Sequence, residues 1–248
     1  MGVFGVDVGG SGIKGAPVDL EKGDLATARV RLETPQPATV KHVVKVIGEV
    51  VKQFDATDRI GVTFPGVVTN GVVRTAANVD KSWVDAPAAR LLTEELGVPV
   101  TVVNDADAAG IAEMRYGAGR GIDGVVVMLT FGTGIGSAVF IDGRLLPNTE
   151  FGHLELHGGD AELRASDRAR TEEDLGWHAW AKRVSEYLSH LEMLMSPDLF
   201  IVGGGVSKKS EHYFPHLDIH TKIVPAKLLN NAGIIGAALA AQAAAPAH

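Results

Sequence analysis

The apolar residues of this chain fall into short runs that alternate with helical patterns. Val3–Val8 and Val125–Thr130 are apolar runs of strand length, and each leads into a glycine-rich segment. Between them, Thr39–Phe54 carries apolar residues three and four positions apart, which predicts an amphipathic helix with Thr39 as its cap. Strands that alternate with helices in this way predict an α/β fold.

The segments that follow the two glycine-rich loops are also alike. Ile13–Leu20 is predicted as a strand, and Ser137–Ile141 with Arg144–Leu146 is predicted as a hairpin around Asp142-Gly143. Further helices are predicted over Ala88–Leu96, Ala106–Tyr116, Thr171–Met195 and Asn231–Ala245, and further strands over Val30–Glu33, Arg59–Phe64, Val98–Val103 and Leu199–Val202. The repeated order indicates two α/β lobes in tandem with a cleft between them.

Composition narrows the classes of protein to consider. The chain has 248 residues, of which 46% are hydrophobic and 21% charged, as in a globular domain or two lobes. A net charge of −7 argues against nucleic acid as a partner. The chain has no cysteine, which excludes disulfides, thiolate catalysis and sulfur-based zinc sites and agrees with a cytoplasmic location. Neither a signal peptide nor a membrane-spanning segment is expected.

The first glycine-rich segment formally matches the dinucleotide motif G-x-G-x-x-G over Gly10–Gly15. That motif requires a helix directly after it, so that the helix N-terminus faces the pyrophosphate. Here Pro17 and a turn at Glu21–Asp24 predict a strand instead. A G-K-[ST] phosphate loop is also absent from the sequence, so neither of these two nucleotide motifs applies.

The chemistry of Asp7–Lys14 fits phosphate binding. Glycines let backbone N–H groups approach phosphate oxygens closely, while Ser11 adds a hydroxyl and Lys14 a positive charge. Asp7 at a strand end can hold a magnesium ion through water. A tight hairpin with a paired Asp7 explains this segment equally well. The candidate phosphate-binding residues are Asp7, Gly9, Gly10, Ser11, Gly12 and Lys14.

A second loop, Phe131–Gly136, favours the phosphate interpretation because it repeats the same design more than a hundred residues later. Its candidate phosphate-binding residues are Gly132, Thr133, Gly134 and Gly136. A third glycine run, Gly203–Gly205, precedes a predicted helix, and Gly204 is a candidate contact to a phosphate or a base. Close packing of strand and helix explains that run at least as well.

Polar residues at a strand-to-helix boundary supply the candidate catalytic group. Asp105 follows a predicted strand and can serve as an N-cap, but Asp107 offers a competing cap. Kinases that act on hydroxyls need a carboxylate to accept the alcohol proton. We therefore predict Asp105 as the general base, with Asn104 holding a hydroxyl.

Two further polar groups are suited to a sugar. Glu150 and His153, in Glu150–Glu155, can bind paired hydroxyls, although a surface pair of His and Glu is common. Asn78 lies in a polar loop with Trp83, and a lone Trp in such a loop often packs against a sugar face or lines a cleft.

The order of these segments resembles the ROK family of sugar kinases, within the actin-like ATPase superfamily, over almost the whole chain. The matching segments are Asp7–Lys14, Asn78 with Trp83, Asn104-Asp105, Phe131–Gly136, Glu150-x-Gly-His153 and Ala232–Ala238. The resemblance implies a two-lobed, ribonuclease H-like α/β fold. It further implies an N-terminal lobe over 1–105, completed by the helix 232–248, and a C-terminal lobe over 106–231.

By the same resemblance, glucose contacts Asn78, Asn104, Asp105, Glu150 and His153. Many family members carry a cysteine-rich zinc motif after E-x-G-H, whereas this chain does not, so zinc is expected to be absent. The missing motif also removes the position that would identify a further sugar-binding carboxylate. Glu155 and Glu162 are both candidates for it.

This zinc-free form is similar to family members that phosphorylate O6 of glucose from inorganic polyphosphate, some of which also use ATP. The implied ligands are glucose, polyphosphate or a nucleotide, and Mg²⁺, and the implied assembly is a homodimer. Basic residues that can form a polyphosphate track are Lys14, the cluster Arg164–Arg170, Lys208 and Lys209, although a solvated face explains each charge singly.

Two alternatives stay open. One is a strictly ATP-dependent hexokinase of the same family. The other is a non-catalytic sugar-binding regulator, because ROK relatives include repressors with a helix-turn-helix ahead of the kinase-like core. The core is expected to begin at Val3 here, which argues against that arrangement.

Overall fold

The computed structural model describes residues 2–54, 57–76 and 79–244. Its strands are β1 (Val3–Val8), β2 (Gly12–Asp19), β3 (Asp24–Leu25), β4 (Val30–Glu33), β5 (Arg59–Phe64), β6 (Val68–Thr69), β7 (Val72–Val73), β8 (Val100–Asn104), β9 (Val125–Phe131), β10 (Ile135–Ile141), β11 (Arg144–Leu146), β12 (Glu155–Leu156), β13 (Gly159–Asp160), β14 (Leu199–Gly204) and β15 (Ile223–Pro225). Its α-helices are α1 (Val40–Val51), α2 (Ala88–Leu96), α3 (Asp105–Tyr116), α4 (Glu162–Ala165), α5 (Asp167–Glu172), α6 (Trp177–Met195) and α7 (Ala232–Ala243). No helix in the described part is both long and apolar enough to cross a membrane.

The chain forms two compact units. Unit 1 comprises Met1–Ala112 and Asn230–His248, and unit 2 comprises Glu113–Leu229. The main sheet of unit 1 has the order β3-β2-β1-β5-β8, with β4 also pairing β2, and that of unit 2 has the order β11-β10-β9-β14-β15.

Both sheets are built around the strand that precedes a glycine-rich loop. β1 pairs antiparallel with β2 and parallel with β5, and β9 pairs antiparallel with β10 and parallel with β14. Each glycine-rich loop is therefore the turn of an antiparallel pair at the end of a central strand. This arrangement confirms the predicted repetition of strand, loop and second strand.

Helix α7 packs against β1 and β5 through small residues. A methyl group added at Gly5 would overlap the carbonyl of Ile234, and one at Gly61 would overlap the carbonyl of Ala237. On the helix side, a methyl group at Gly236 would overlap the carbonyl of Ala108 in α3. Because only glycine permits this approach, the C-terminal helix is part of the core of unit 1.

One predicted helix has the wrong beginning. A helix from Thr171 to Met195 was expected, but the chain forms α5 first and begins α6 at Trp177. Thr171 lies inside α5, where its hydroxyl donates to the carbonyl of Asp167 at 2.8 Å. Asp174 has a φ of 50°, which breaks the helix between the two segments.

The interpretation of Trp83 as a residue that faces a sugar is also wrong. Its side chain is only 1% exposed and lies in the core of unit 1, with its ring centroid 4.7 Å from that of Phe64. Its indole N–H donates to the carbonyl of Ala38 at 3.0 Å. A Trp in a polar loop can thus be a core residue when a backbone carbonyl accepts its N–H.

Candidate active site

The first glycine-rich loop is a tight turn between β1 and β2. The N–H of Gly9 donates to the carbonyl of Gly12 at 3.0 Å, and Gly10 and Ser11 are exposed at the tip. Across the strand pair, Lys14 lies opposite Asp7, with 3.5 Å between Nζ and the carboxylate Oδ2. The turn, one cation and one carboxylate are therefore close together, which agrees both with the phosphate interpretation and with a tight hairpin in which Asp7 is paired.

Thr63 of β5 orients Asp7. Its hydroxyl donates to Oδ1 of Asp7 at 3.0 Å and accepts from the N–H of Val8 at 3.0 Å. Because the backbone N–H occupies the acceptor side of this buried hydroxyl, its proton is directed at the carboxylate. Thr63 was not identified from the sequence. The feature that could have identified it is a polar side chain inside an otherwise apolar strand.

The carboxylate of Asp7 is also close to the start of α7, where a methyl group at Gly233 would lie 2.9 Å from Oδ1. Its carboxylate is partly exposed and next to a loop suited to phosphate. Carboxylate oxygens beside phosphates are the usual ligands of Mg²⁺ or of its waters. Asp7 is therefore suited to its expected role, which is to hold a magnesium ion through water.

The second glycine-rich loop is also a tight turn between antiparallel strands, in unit 2. The N–H of Gly132 donates to the carbonyl of Gly134 at 3.0 Å, and Thr133 is exposed at the tip. The carbonyl of Gly132 accepts from the N–H of Arg168, which lies in the first turn of α5. Gly136 follows in β10, paired with Thr130. The loop is thus held to a segment that carries several basic residues.

Position 204, beside the second loop, requires glycine for a steric reason. It pairs with Phe131 in the parallel register of β14 and β9 and has a φ of 79°. A methyl group there would overlap the carbonyl of Phe131. Packing alone therefore demands glycine at this position, although the close neighbour is the adjacent strand β9 and not a helix as the simpler explanation expected.

Asn104, rather than Asp105 or Asp107, supplies the cap of α3. Its Oδ1 accepts from the N–H groups of Ala106 at 2.8 Å and Asp107 at 3.0 Å. Its Nδ2 donates to the carbonyl of Gly66 at 3.2 Å. The amide of Asn104 takes the capping role that the sequence left open between Asp105 and Asp107, although Oδ1 of Asp105 also accepts from the N–H of Ala106 at 2.9 Å. Asp105 begins α3 as an exposed residue.

The segment that carries Glu150 is anchored to β10. The hydroxyl of Ser137 donates to the carbonyl of Thr149 at 2.7 Å and accepts from the N–H of Phe151 at 2.9 Å. Glu150 is half-buried between these two anchors. Burial raises the pKa of its carboxyl group; His153 opposes that shift and Glu162 adds to it.

His153, Asp160 and Glu162 form a compact cluster, with one ligand atom of each within 4.8 Å of the others. Nδ1 of His153 lies 2.8 Å from Oδ2 of Asp160, and Oε2 of Glu162 accepts from the N–H of Ile135 at 2.9 Å. Because Nδ1 of His153 is engaged by a carboxylate, Nε2 is the ring nitrogen left for a further partner. Glu162 links it to the second glycine-rich loop.

The residues of this cluster differ in how well the sequence predicted them. His153 was a predicted sugar contact, and Glu162 was one of two candidate carboxylates. Asp160 was not identified. The two-residue turn at His157-Gly158 could have indicated that the chain folds back there and brings Asp160 beside the preceding strand. Glu155, one of two candidate carboxylates, is an exposed residue of β12 opposite Asp160. Asn78 lies outside the described residues.

The half-buried Glu150 gives a stability prediction. Because its pKa is raised on folding, its ionised form opposes folding, and this cost is complete above the folded-state pKa and absent below the unfolded-state pKa. We expect Glu150→Gln to raise the melting temperature at about pH 7.5 and to give no gain near pH 4. Thermal unfolding by circular dichroism at both pH values measures this. An equal effect at both would contradict the assignment.

The sequence comparisons agree with one another. The model of the ROK family matches residues 3–169. The chain is 56% identical to the polyphosphate glucokinase of Mycobacterium tuberculosis (strain CDC 1551 / Oshkosh), over 97% of this chain and 91% of that protein.

Solved structures of similar proteins extend this likeness to three dimensions. An inorganic polyphosphate/ATP-glucomannokinase from Arthrobacter sp. strain KM has a TM-score of 0.92 and 52% identity, over 96% of this chain and 97% of that chain. A ROK family glucokinase from Streptomyces griseus, in complex with glucose and AMPPNP, has a TM-score of 0.84 and 27% identity, over 98% and 100%. These neighbours confirm the predicted α/β fold of the actin-like ATPase class.

Proposed function

The chain belongs to the ROK family, and on this premise we propose that it is a glucokinase that transfers a phosphoryl group from inorganic polyphosphate, and also from ATP, to O6 of glucose. The observation that carries the proposal is the 56% identity to a polyphosphate glucokinase across 97% of the chain. The 52% identity to a polyphosphate/ATP-glucomannokinase supports the use of both donors.

In the proposed reaction, Asp105 accepts the proton of the glucose O6 hydroxyl while that oxygen attacks the terminal phosphorus of the donor. The bond from this phosphorus to its bridging oxygen breaks, and the shortened polyphosphate or ADP leaves. Asn104 suits hydroxyl binding because its amide carries a second N–H besides the one given to Gly66.

The other proposed sugar contacts are Glu150, His153 and the further carboxylate, for which the contacts favour Glu162 over Glu155. Glu162 lies with His153 and Asp160, whereas Glu155 is exposed on the neighbouring strand. Asn78 remains a proposed contact from the family resemblance.

The two glycine-rich loops would bind the donor through backbone N–H groups, assisted by Ser11, Lys14 and Thr133. Asp7 would hold Mg²⁺ through water, and the ion would offset the negative charge of the phosphates. Thr63 and Lys14 keep the Asp7 carboxylate at the loop.

The surroundings of the second loop support a polyanionic donor. The N–H of Arg168 donates to the carbonyl of Gly132 in this loop. The guanidinium of Arg170 pairs with Asp167 at 2.9 Å and lies 4.2 Å from the ring centroid of Trp177. Nζ of Lys209, on the segment after Gly204, lies 5.7 Å from the same ring. Cations on the segments next to this loop are suited to a polyanionic donor, despite the net charge of −7.

The proposal is tested by incubating the protein with glucose, Mg²⁺ and either polyphosphate or ATP, and measuring glucose 6-phosphate. We expect product from both donors and a higher kcat/KM with polyphosphate. Product from ATP alone would establish the ATP-dependent hexokinase instead. Glucose binding without product from either donor would favour the non-catalytic regulator.

Further expectations stay predictions. We propose that the protein works in the cytoplasm as a homodimer, without zinc and without nucleic acid or membrane partners. We also propose that its functional lobes are 1–105 with 232–248, and 106–231.

A further inference from the structure

A hairpin places a carboxylate directly behind His153. Strands β12 and β13 are joined by a two-residue turn at His157-Gly158, with φ values of 56° and 78°, and the pairing sets Asp160 opposite Glu155. The chain returns beside the 3₁₀ turn Phe151–His153, where the N–H of Ala161 donates to the carbonyl of Leu154 at 2.8 Å. The backbone therefore fixes Asp160 relative to His153.

The contact between the two side chains is specific. Nδ1 of His153 lies 2.8 Å from Oδ2 of Asp160, and the two side chains are 52% and 47% exposed. A half-exposed pair of this kind contributes little to folding. Its geometry has a different consequence: a carboxylate at Nδ1 keeps a proton on that nitrogen and fixes the ring, so that Nε2 is the atom left for another partner.

We propose that Asp160 is a positioning residue for sugar binding: by holding Nδ1 of His153, it directs Nε2 of that imidazole to a hydroxyl of glucose. The proposal rests on the proposed function, in which His153 contacts the sugar. Asp160 itself does not touch the substrate. Its role differs from that of Glu162, whose carboxylate is engaged by the N–H of Ile135 in the second glycine-rich loop.

The charges around His153 give the proposal a measurable signature. The hydrogen bond that Asp160 accepts from the ring is the largest cause of the raised pKa of His153; partial burial opposes it, and Glu162 and Glu150 add to it. Removing the Asp160 charge therefore lowers the pKa of this imidazole. The lowering is expected in the free protein, whatever substrate the protein uses.

Two substitutions separate orientation from charge. In Asp160→Asn, the amide oxygen still accepts from Nδ1–H, so the ring keeps its orientation but loses the negative charge behind it. In Asp160→Ala, both are lost. We expect Asp160→Ala to raise the KM for glucose about 10-fold with the KM for polyphosphate unchanged, and Asp160→Asn to recover most of that loss. In both variants, the pH at which ionisation of this imidazole changes kcat/KM for glucose moves downward.

The chain offers a matched control. Glu186 also pairs a carboxylate with an imidazole, that of His157, through Nε2 and in the same unit. Glu186→Ala should leave the KM for glucose within twofold of wild type. Thermal unfolding verifies that each variant is folded, and NMR titration of the His153 ring reads its pKa without any substrate.

The outcomes are distinguishable. A folded Asp160→Ala protein whose glucose KM stays within twofold of wild type, while His153→Ala raises it, overturns the role of Asp160 and leaves the proposed function intact. An unchanged His153 pKa in Asp160→Asn overturns it as well. If His153→Ala itself has no effect on glucose KM, both the sugar contact and its positioning residue are refuted. Absence of glucose phosphorylation by the wild-type protein refutes the proposed function, and with it this role, even where the titration shows the pair.

Discussion

Replacing Asp105 by alanine is expected to lower kcat for glucose phosphorylation at least ~100-fold, or roughly 2.7 kcal/mol of transition-state stabilisation. Asp105 begins α3 as an exposed carboxylate, while the buried Asn104 before it supplies the cap of that helix. Because the capping role is filled, removal of the Asp105 side chain should cost activity much more than stability.

The measurement is steady-state kinetics with polyphosphate and with ATP, beside thermal unfolding. Asp105→Asn should lose nearly as much as Asp105→Ala, because the amide keeps the shape of the carboxylate but cannot accept the proton. Asp142→Asn provides an acidic-to-amide control at a hairpin turn in unit 2, where Asn also tolerates a φ of 50°. A folded Asp105→Ala protein with turnover within tenfold of wild type would contradict the assignment of the general base.

The parts of the fold that could be predicted are those set by local pattern. The antiparallel partners of β1 and β9 follow directly along the chain, so the apolar runs and their glycine turns were sufficient to indicate both pairs. The start of α6 could not be predicted in this way. Thr171 suits a helix cap by type, but the better cap, Ser166, had already begun α5, where its hydroxyl accepts from the N–H of Ala169.

The candidate site shows the same division. Asp7 and Lys14 belong to one hairpin, and their proximity follows from the sequence. Thr63 reaches Asp7 from a strand 56 residues away, and only the parallel pairing of β1 with β5 brings them together. Sequence reasoning could identify a polar residue in an apolar strand, but it could not determine which carboxylate that residue orients.

The choice between Glu155 and Glu162 was open in the sequence for a comparable reason. They lie seven residues apart, on either side of a turn whose geometry decides which one faces His153. The hairpin of β12 and β13 leaves Glu155 exposed, and α4 begins with Glu162 beside the second glycine-rich loop. A methyl group at Gly134 would overlap the Glu162 carboxylate, so loop and carboxylate are in direct contact.

Replacing Glu162 by alanine is therefore expected to lower kcat/KM for glucose roughly 100-fold, whereas Glu155→Ala should change it less than threefold. Hydrogen bonds from hydroxyls to a carboxylate are stabilising by about 1.5–3 kcal/mol each, and one or two of them account for a loss of this size. Glu162→Ala also removes the acceptor of the Ile135 N–H, so the KM for polyphosphate should rise as well.

Glu162→Gln separates these two effects, because its amide oxygen can still accept from Ile135 while the charge toward the sugar is lost. The variant should keep the donor KM near that of wild type and retain the defect with glucose. The reverse ranking, with Glu155→Ala impaired and Glu162→Ala near wild type, would assign the further sugar carboxylate to β12. In that case the contact between Glu162 and the second loop would serve the loop conformation alone.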